Sequence, residues 1–360
     1  MPNIKTKAMR QAYDKKMFDR WGHLPDYWYP LIELKSLRKN SMKKVRVFGL
    51  DYVVWKNKQG GVSVFLDSCI HKQAPLSAGH LQNNNMQCPY HGWQFDMDGH
   101  CVDIPYSNDK QGCEKKSLLV LPAKIKGKVI WFFPGNQNEF KKTDINWQYL
   151  SNDMINTQIF ECDEQALIEN FMDSPHTNFV HTGIIRKDQK FENRDIEIKL
   201  DDKHKLSVDH LPNNESLGPF NWFINPNKDP ITHQDGFVAP AEIDIQYQFE
   251  KDKTNFRTHV FLAPIDECNT RAFIKISCQF KRFNPLIRLG LRLFSPIVLK
   301  QDQKMVSLQA KNPSKLNGFN GEFINYDMYS YQVKLLRQQA KTKQTPVGLL
   351  TSTFHTSLKL

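Results

Sequence analysis

Four residues between Ser68 and Pro105 have side chains that bind metals directly. They come as two mixed pairs, Cys69-Ile70-His71 and Cys88-Pro89-Tyr90-His91, with sixteen residues between the pairs. One thiolate and one imidazole from each of two tight loops can surround a single tetrahedral zinc. They can also span a [2Fe-2S] cluster, with two cysteines on one iron and two histidines on the other. Zinc modules usually group like ligands in each knuckle, whereas a mixed knuckle lets each loop give one ligand to each iron. Gly79, Pro89 and Gly92 suit loops that turn backbone N–H groups toward bridging sulfides. The cluster is the better reading of these residues, and zinc is the alternative.

A second set lies in Glu169-Asn170-Phe171-Met172-Asp173-Ser174-Pro175-His176-Thr177-Asn178-Phe179-Val180-His181. On an ideal helix Asp173 and His176 stand about 60° apart, and His176 and His181 about 140° apart. The second separation is too wide for one metal, so the spacing predicts a break or a π-type distortion between the two histidines. Two histidines and one carboxylate, with positions left open, is the ligand set of a mononuclear non-haem iron(II) that activates O2. Taken alone, two histidines five apart are more often ordinary core or surface residues.

The run Cys-x-His, sixteen residues, Cys-Pro-Tyr-His-Gly-Trp and then Asp-Gly-His-Cys-Val-Asp-Ile-Pro resembles the cluster-binding segment of Rieske oxygenases. Asp-x-x-His-x-x-x-x-His after Glu-Asn is similar to the catalytic motif of the same family. The resemblance covers roughly residues 25–310; it is specific at the two metal motifs and loose elsewhere. It implies that Cys69, His71, Cys88 and His91 hold the [2Fe-2S] cluster, and that His176 and His181 bind Fe2+. The family places its third ligand, a carboxylate, on a late helix. Asp302, in Leu299-Lys300-Gln301-Asp302-Gln303-Lys304-Met305-Val306, is the candidate, and Asp266 and Asp327 are weaker because their contexts are loop-like. Asp173 is then a bridge rather than a ligand. It would accept hydrogen bonds from His176 and from His91 of the partner subunit, so that a ring-like homotrimer completes the electron path. Lys72 is a departure, since the family usually has arginine beside the first histidine; the charge is kept and the planar fork is lost.

What the resemblance implies about function is a terminal oxygenase. Electrons enter through the cluster and are used at the mononuclear iron to activate O2. The substrate would be an apolar, aromatic or polycyclic small molecule that is hydroxylated, dealkylated or N-oxygenated. The layout resembles the aromatic O-demethylase, aminopyrrolnitrin-type and pheophorbide-type oxygenases. The chain has neither a Gly-x-Gly-x-x-Gly fingerprint nor a plant-type Cys-x4-Cys-x2-Cys run, so an NAD(P)H-linked flavin reductase, a ferredoxin, or both must be separate partners. Two other readings stay open: a Rieske-type electron carrier without oxygenase activity, and a zinc-stabilised binding protein.

The elements that must position these residues read as an α+β protein. Residues 1–24 form a polar N-terminal arm, helical or partly disordered, and 25–140 a small antiparallel β Rieske domain. Val45 to Trp55 and Val62 to Leu66 are β-rich runs joined by a hairpin signal at Lys56-Asn57-Lys58-Gln59-Gly60-Gly61, and Val129 to Gly135 is a buried strand. A polar connection leads to a catalytic domain over 150–345, an antiparallel sheet covered by helices. Its strands show as period-two alternation at Ile196, Ile198 and Leu200, at Ile243, Ile245, Tyr247 and Phe249, and at Ile274, Ile276, Cys278 and Phe280. Helices are expected near 286–311 and 328–340, and 346–360 is a C-terminal tail. The loop Asn213 to Pro240 carries Phe220, Trp222, Phe223 and Phe237, which suit a pocket lid or the anchoring of a long loop.

Composition adds exclusions. The net charge of +11 is spread along all 360 residues, without a motif for base or phosphate recognition, so nucleic acid is not an expected partner. A solvated basic surface, or one that docks an acidic electron donor, accounts for it. Seven cysteines without paired spacing argue against a disulfide framework. The N-terminus lacks the apolar core of a signal peptide, and Phe283 to Leu299 is too short and too interrupted to span a membrane. A cytoplasmic protein is the expectation.

Overall fold

The computed structural model describes residues 4–108, 110–137, 139, 144–147, 153–184, 193–213, 230–250, 253–278, 284–312 and 321–359. The chain forms two compact units, residues 1–149 and 150–360.

The first unit opens with helix α1 (Ile4–Trp21). The N-terminal arm takes the helical form of the two expected, and it is packed, because Tyr13 and Met17, one helical turn apart, are both buried. Tyr13 donates to the Pro134 carbonyl at 2.8 Å and accepts from Tyr52 at 2.9 Å. Eleven short strands follow: β1 (Tyr29–Glu33), β2 (Ser41–Val47), β3 (Leu50–Lys56), β4 (Val62–Leu66), β5 (His80–Gln82), β6 (Asn85–Gln87), β7 (Gln94–Phe95), β8 (Cys101–Asp103), β9 (Val120–Leu121), β10 (Ala123–Lys126) and β11 (Val129–Phe132), with a short helix α2 (Lys110–Glu114). They make three antiparallel sheets, ordered β1-β11-β10, β2-β3-β4-β9 and β5-β6-β7-β8. The run Val45 to Trp55 is not one strand. Phe48 and Gly49 have φ of 53° and 72°, the left-handed pair of a two-residue hairpin turn, and the chain reverses there. Trp55, Phe65, Leu76, Met86 and Phe95 are fully buried in one core with Cys69 and Cys88, so the loops bearing the metal-binding residues rest on packed side chains.

The second unit is built on one eight-stranded antiparallel sheet. Its strands are β12 (Met154–Phe160), β13 (Asn193–Leu200), β14 (Lys205–Asn213), β15 (Ile231–Val238), β16 (Glu242–Glu250), β17 (Lys253–Pro264), β18 (Thr270–Cys278) and β19 (Phe354–Lys359), ordered β12-β18-β17-β16-β15-β14-β13-β19. The helices are α3 (Glu164–Met172), α4 (Thr177–Val180), α5 (Asn284–Ala310) and α6 (Met328–Thr342). Asp163 caps α3 by accepting from the Ala166 N–H at 2.9 Å. A part-buried ion pair of Arg337 with Glu164, 2.7 Å, ties α6 to the same end of α3.

Two expectations change here. The residues expected as a tail supply β19, which pairs with β13 from Phe354 opposite Ile198 to Lys359 opposite Asn193. An exposed edge strand has one row of backbone groups to satisfy, and β19 satisfies the row on β13. In the loop expected as a lid, Phe237 belongs to β15 and is fully buried, so it is core. Phe220, Trp222 and Phe223 lie outside the described residues, as does Phe280. No helix among the described residues is long and apolar enough to cross a membrane.

Candidate metal centres and the cavity beside them

In the first unit, two loops present the four predicted residues with thiols inward and imidazoles at the rim. Cys69 and Cys88 are buried, while His71 and His91 are half-buried. Each cysteine sits in a tight backbone turn. The Cys69 N–H donates to Ala74 O and its carbonyl accepts from Gln73; the Cys88 N–H donates to Trp93 O and its carbonyl accepts from Gly92. Asp67 braces the first loop through the Ser77 N–H at 2.7 Å and the Ser77 hydroxyl at 2.6 Å. Gly79 is there because nothing larger fits: a Cβ would lie 2.0 Å from the Gln87 carbonyl oxygen. The His71 and His91 rings are 4.5 Å apart. His71 stacks on Trp93 at 4.8 Å, and Trp93 Nε1 donates to the Tyr106 hydroxyl at 2.7 Å.

Burial pushes the Cys69 thiol up to about 11; the His71 backbone N–H opposes this and the Cys88 sulfur beside it adds to the rise. A thiol raised in this way gives up its proton when a positive centre binds the sulfur, which suits a metal ligand. The donor geometry also separates the two readings of this stretch. A single tetrahedral ion needs its donors close together. Among the described residues, three donor atoms meet within 4.8 Å of one another at two places, both in the second unit. In the first unit like donors lie together, the Cys88 sulfur beside Cys69 and the His91 ring 4.5 Å from that of His71, which suits two irons with one pair each.

The first of those two places is His176, His181 and Asp302. The Nε2 atoms of the histidines are 3.3 Å apart, and Asp302 Oδ1 lies 3.4 Å from one and 3.1 Å from the other. All three atoms therefore surround one point. The far ring nitrogens are occupied: His181 Nδ1 donates to Gln301 Oε1 at 2.9 Å, and His176 Nδ1 donates to the Asp173 carbonyl oxygen. Both Nε2 lone pairs are left facing the shared point, as metal ligation requires. Asp302 Oδ1 is buried and has no aligned hydrogen-bond donor among the described residues. An oxygen left in this state among two imidazole lone pairs fits a cation.

The break that brings the histidines together does not lie between them. Helix α3 stops at Met172; Asp173 is extended, with φ −90° and ψ 91°. Pro175 disfavours helical geometry at Ser174. His176 then opens the four-residue helix α4, and His181 leaves it with φ −108° and ψ 26°. The helical turn between them is regular, and both histidines escape the ideal spacing by standing at its ends. Asp173 Oδ2 is 4.0 Å from His176 Nδ1, and burial pushes its carboxyl up to about 6 against the pull of His176. Of the other candidates, Asp266 accepts from the Cys268 N–H of its own turn and Asp327 from the Ile324 N–H; neither joins the three-atom group.

A cavity of about 260 Å³ adjoins His176, His181 and Asp302. Its walls are α5 and one face of the sheet, with Ile245, Phe256, Ile274, Phe294 and Val298 among the lining residues. The second close group, His210, His233 and Asp235, lies on adjacent strands of that sheet, and His233 and Asp235 line the cavity. Sequence reasoning missed this group and Gln301. Gln301 stood in a run already singled out, but its role depends on which face of α5 meets α4.

Residues 27–120 match the family described as Rieske [2Fe-2S] domain, and residues 160–332 the vanillate O-demethylase oxygenase C-terminal domain. The chloroplastic chlorophyllide a oxygenase of Chlamydomonas reinhardtii is 30% identical over 163 residues, which is 44% of this chain and 25% of that protein. The 4beta-methylsterol monooxygenase of Methylococcus capsulatus is 33% identical over 118 residues, 32% of each chain. The chain thus spans about a quarter to a third of the length of these curated relatives. The crystal structure of dicamba monooxygenase bound to dicamba shares the fold, with a TM-score of 0.75 at 20% identity over 88% of this chain and 97% of that one.

Proposed function

This chain belongs to the Rieske non-haem iron oxygenases, and on that ground we propose that it is a terminal oxygenase acting on an apolar, aromatic or polycyclic small molecule. Its cofactors are a [2Fe-2S] cluster and a mononuclear iron. In this reading Cys69, His71, Cys88 and His91 hold the cluster, and His176, His181 and Asp302 hold the iron. When bound, the two groups supply single electrons and O2 activation, chemistry that no side chain provides. The chain's own part is positional. Gln301 and the Asp173 carbonyl fix the tautomer and tilt of the two imidazoles, three side-chain ligands leave coordination positions open, and the apolar walls hold substrate beside them and keep water out.

One observation carries the reading: His176 Nε2, His181 Nε2 and Asp302 Oδ1 lie within 3.4 Å of one another at the edge of an apolar cavity. A pure electron carrier has no use for that arrangement. The proposal extends to a separate ferredoxin or flavin reductase as electron donor, to a homotrimer in which Asp173 meets His91 of the partner subunit, and to a cytoplasmic location. Oxidation of the substrate by hydroxylation, dealkylation or N-oxygenation belongs to the same proposal.

The test is metal and sulfide analysis of anaerobically purified protein, with absorption and EPR spectra before and after dithionite. Two cluster irons, two sulfides and one further iron per chain, with a Rieske-type reduced signal, are expected. A cluster that accepts no further iron would leave an electron carrier, and a single colourless zinc would remove both readings.

A further inference from the structure

Helix α5 is apolar on two opposite sides, and only one of them is covered. At 100° per residue from Leu289, the cavity-lining residues Gly290, Leu291, Phe294, Ser295, Val298 and Leu299 fall between about 100° and 280°. Asp302 lies in the same arc and continues the row to the two histidines. Leu293 and Ile297 fall outside it, at about 40° and 80°, beside Leu289 at the origin. Leu289, Leu293 and Ile297 are 54%, 62% and 46% exposed. Spaced four apart, they form one stripe about 12 Å long. A surface helix ordinarily turns a polar face to water, and a helix that is apolar all round is buried in protein or in lipid. In this chain the stripe faces solvent.

The charges of α5 are sorted in the same way. Its sequence holds Arg288, Arg292, Lys300 and Lys304 and a single acid, Asp302. Asp302 is buried, whereas Arg292, Lys300 and Lys304 are exposed. Arg292 and Lys300 stand beside the stripe, at about −60° and 20° on the same wheel. The exposed side is therefore apolar at its centre and cationic at its rim. Glu161 meets the helix further on, at Ser307 and Lys311, and is paired there.

An apolar stripe rimmed by cations is the pattern of a helix that lies in a membrane interface, and α5 is not apolar and long enough to cross one. A protein partner is the other class of cover for such a stripe. The cavity favours lipid. A helix is about 10 Å thick, and the inner side of this one walls a cavity lined by Ile245, Phe256, Ile274 and Phe294. A ligand that suits those walls also dissolves in a bilayer held against the outer side. We propose that α5 docks this chain on an anionic lipid surface, with Leu289, Leu293 and Ile297 in the headgroup boundary and Arg292 and Lys300 on lipid phosphates. The docking stands without the oxygenase reading; only the use of the cavity for substrate rests on it.

The test uses the full chain, loaded with cluster and iron, and vesicles of phosphatidylcholine alone or with about 30% phosphatidylglycerol. Cosedimentation should show binding about tenfold or more tighter to the anionic vesicles. Leu293→Gln with Ile297→Gln removes the apolar centre at exposed positions, and binding should fall about tenfold. Arg292→Gln with Lys300→Gln leaves the stripe and should cut the preference for anionic vesicles to a similar degree. Lys39→Gln with Lys58→Gln removes the same charge from exposed positions of the first unit and should change binding less than twofold, about the scatter of the assay. No binding to anionic vesicles, binding unchanged in the L293Q/I297Q variant, or an equal loss in the Lys39/Lys58 control overturns the docking. Self-association, or capture of a ferredoxin, that L293Q/I297Q abolishes while vesicles are not bound would also overturn it, and give the stripe to a protein. Iron and sulfide content, measured on the same samples, report on the fold of the variants and on the oxygenase reading. Vesicle binding by protein that takes up no mononuclear iron would keep the docking and sink the oxygenase.

Discussion

Gln301 accepts the Nδ1–H of His181 at 2.9 Å, while the next residue, Asp302, places Oδ1 3.1 Å from the other nitrogen of the same ring. Two consecutive residues of α5 thus hold both ends of one imidazole. Gln301→Leu keeps the helix and most of the side-chain volume and removes the acceptor. The iron affinity of the apo-site should fall about 10–100-fold, with the cluster spectrum unchanged. An iron titration followed by EPR of the nitric oxide adduct measures this. Unaltered affinity would mean that packing alone orients His181.

The identity of the third ligand is open to a direct comparison. Asp302→Ala should lose the mononuclear iron and all turnover while retaining two irons and two sulfides in the cluster. Asp266→Ala and Asp327→Ala should keep the iron, because their carboxylates are spent on backbone N–H groups of their own turns. Iron analysis of the three variants decides it. Loss of iron in D327A with retention in D302A would move the ligand from α5 to the N-terminal end of α6.

What was legible in the sequence follows the range of the interactions. Cys69, His71, Cys88 and His91 sit in local turns, so spacing and loop glycines carried most of the information. The alternation of Ile196 to Leu200, Ile243 to Phe249 and Ile274 to Cys278 fixed which face of the sheet is covered. The break near His176 was legible as a necessity but not in place, because counting angles along an ideal helix ignored the effect of Pro175 on Ser174. The hairpin turn at Phe48-Gly49 was hidden inside an apolar run. His210, His233 and Asp235 could not be grouped, since they meet only through the register of β14 with β15. The strand Phe354–Lys359 looks like a tail because its sequence is mostly polar, and only its pairing with β13 reveals it.

The cluster loops should be unusually sensitive at Gly79. Its Cα lies so close to the partner loop that an alanine Cβ would stand 2.0 Å from the Gln87 carbonyl oxygen, next to Cys88. The clash involves backbone on both sides, so the loops must separate. Gly79→Ala should cost about 1–3 kcal/mol in the first unit and lower the sulfide content and visible absorption of the purified protein. The iron content of the second unit should be retained. Full cluster loading in G79A would show that the loops have slack that the distance denies.

Asp173 tests how the two centres communicate. Its carbonyl oxygen, not its carboxylate, accepts the His176 Nδ1–H, and the carboxylate stands off at 4.0 Å. Asp173→Asn therefore preserves the backbone acceptor and the ring's orientation, and iron should bind normally. What the substitution removes is the charge beside His176, the acceptor that the proposed trimer would offer to a histidine of the partner subunit. In single-turnover experiments, oxidation of the reduced cluster in the presence of substrate should slow about 10–100-fold in D173N, with both metals at wild-type content. An unchanged rate with intact metals would mean that electrons reach the iron by another route, and the bridging role would be lost along with the reason for expecting a ring of subunits.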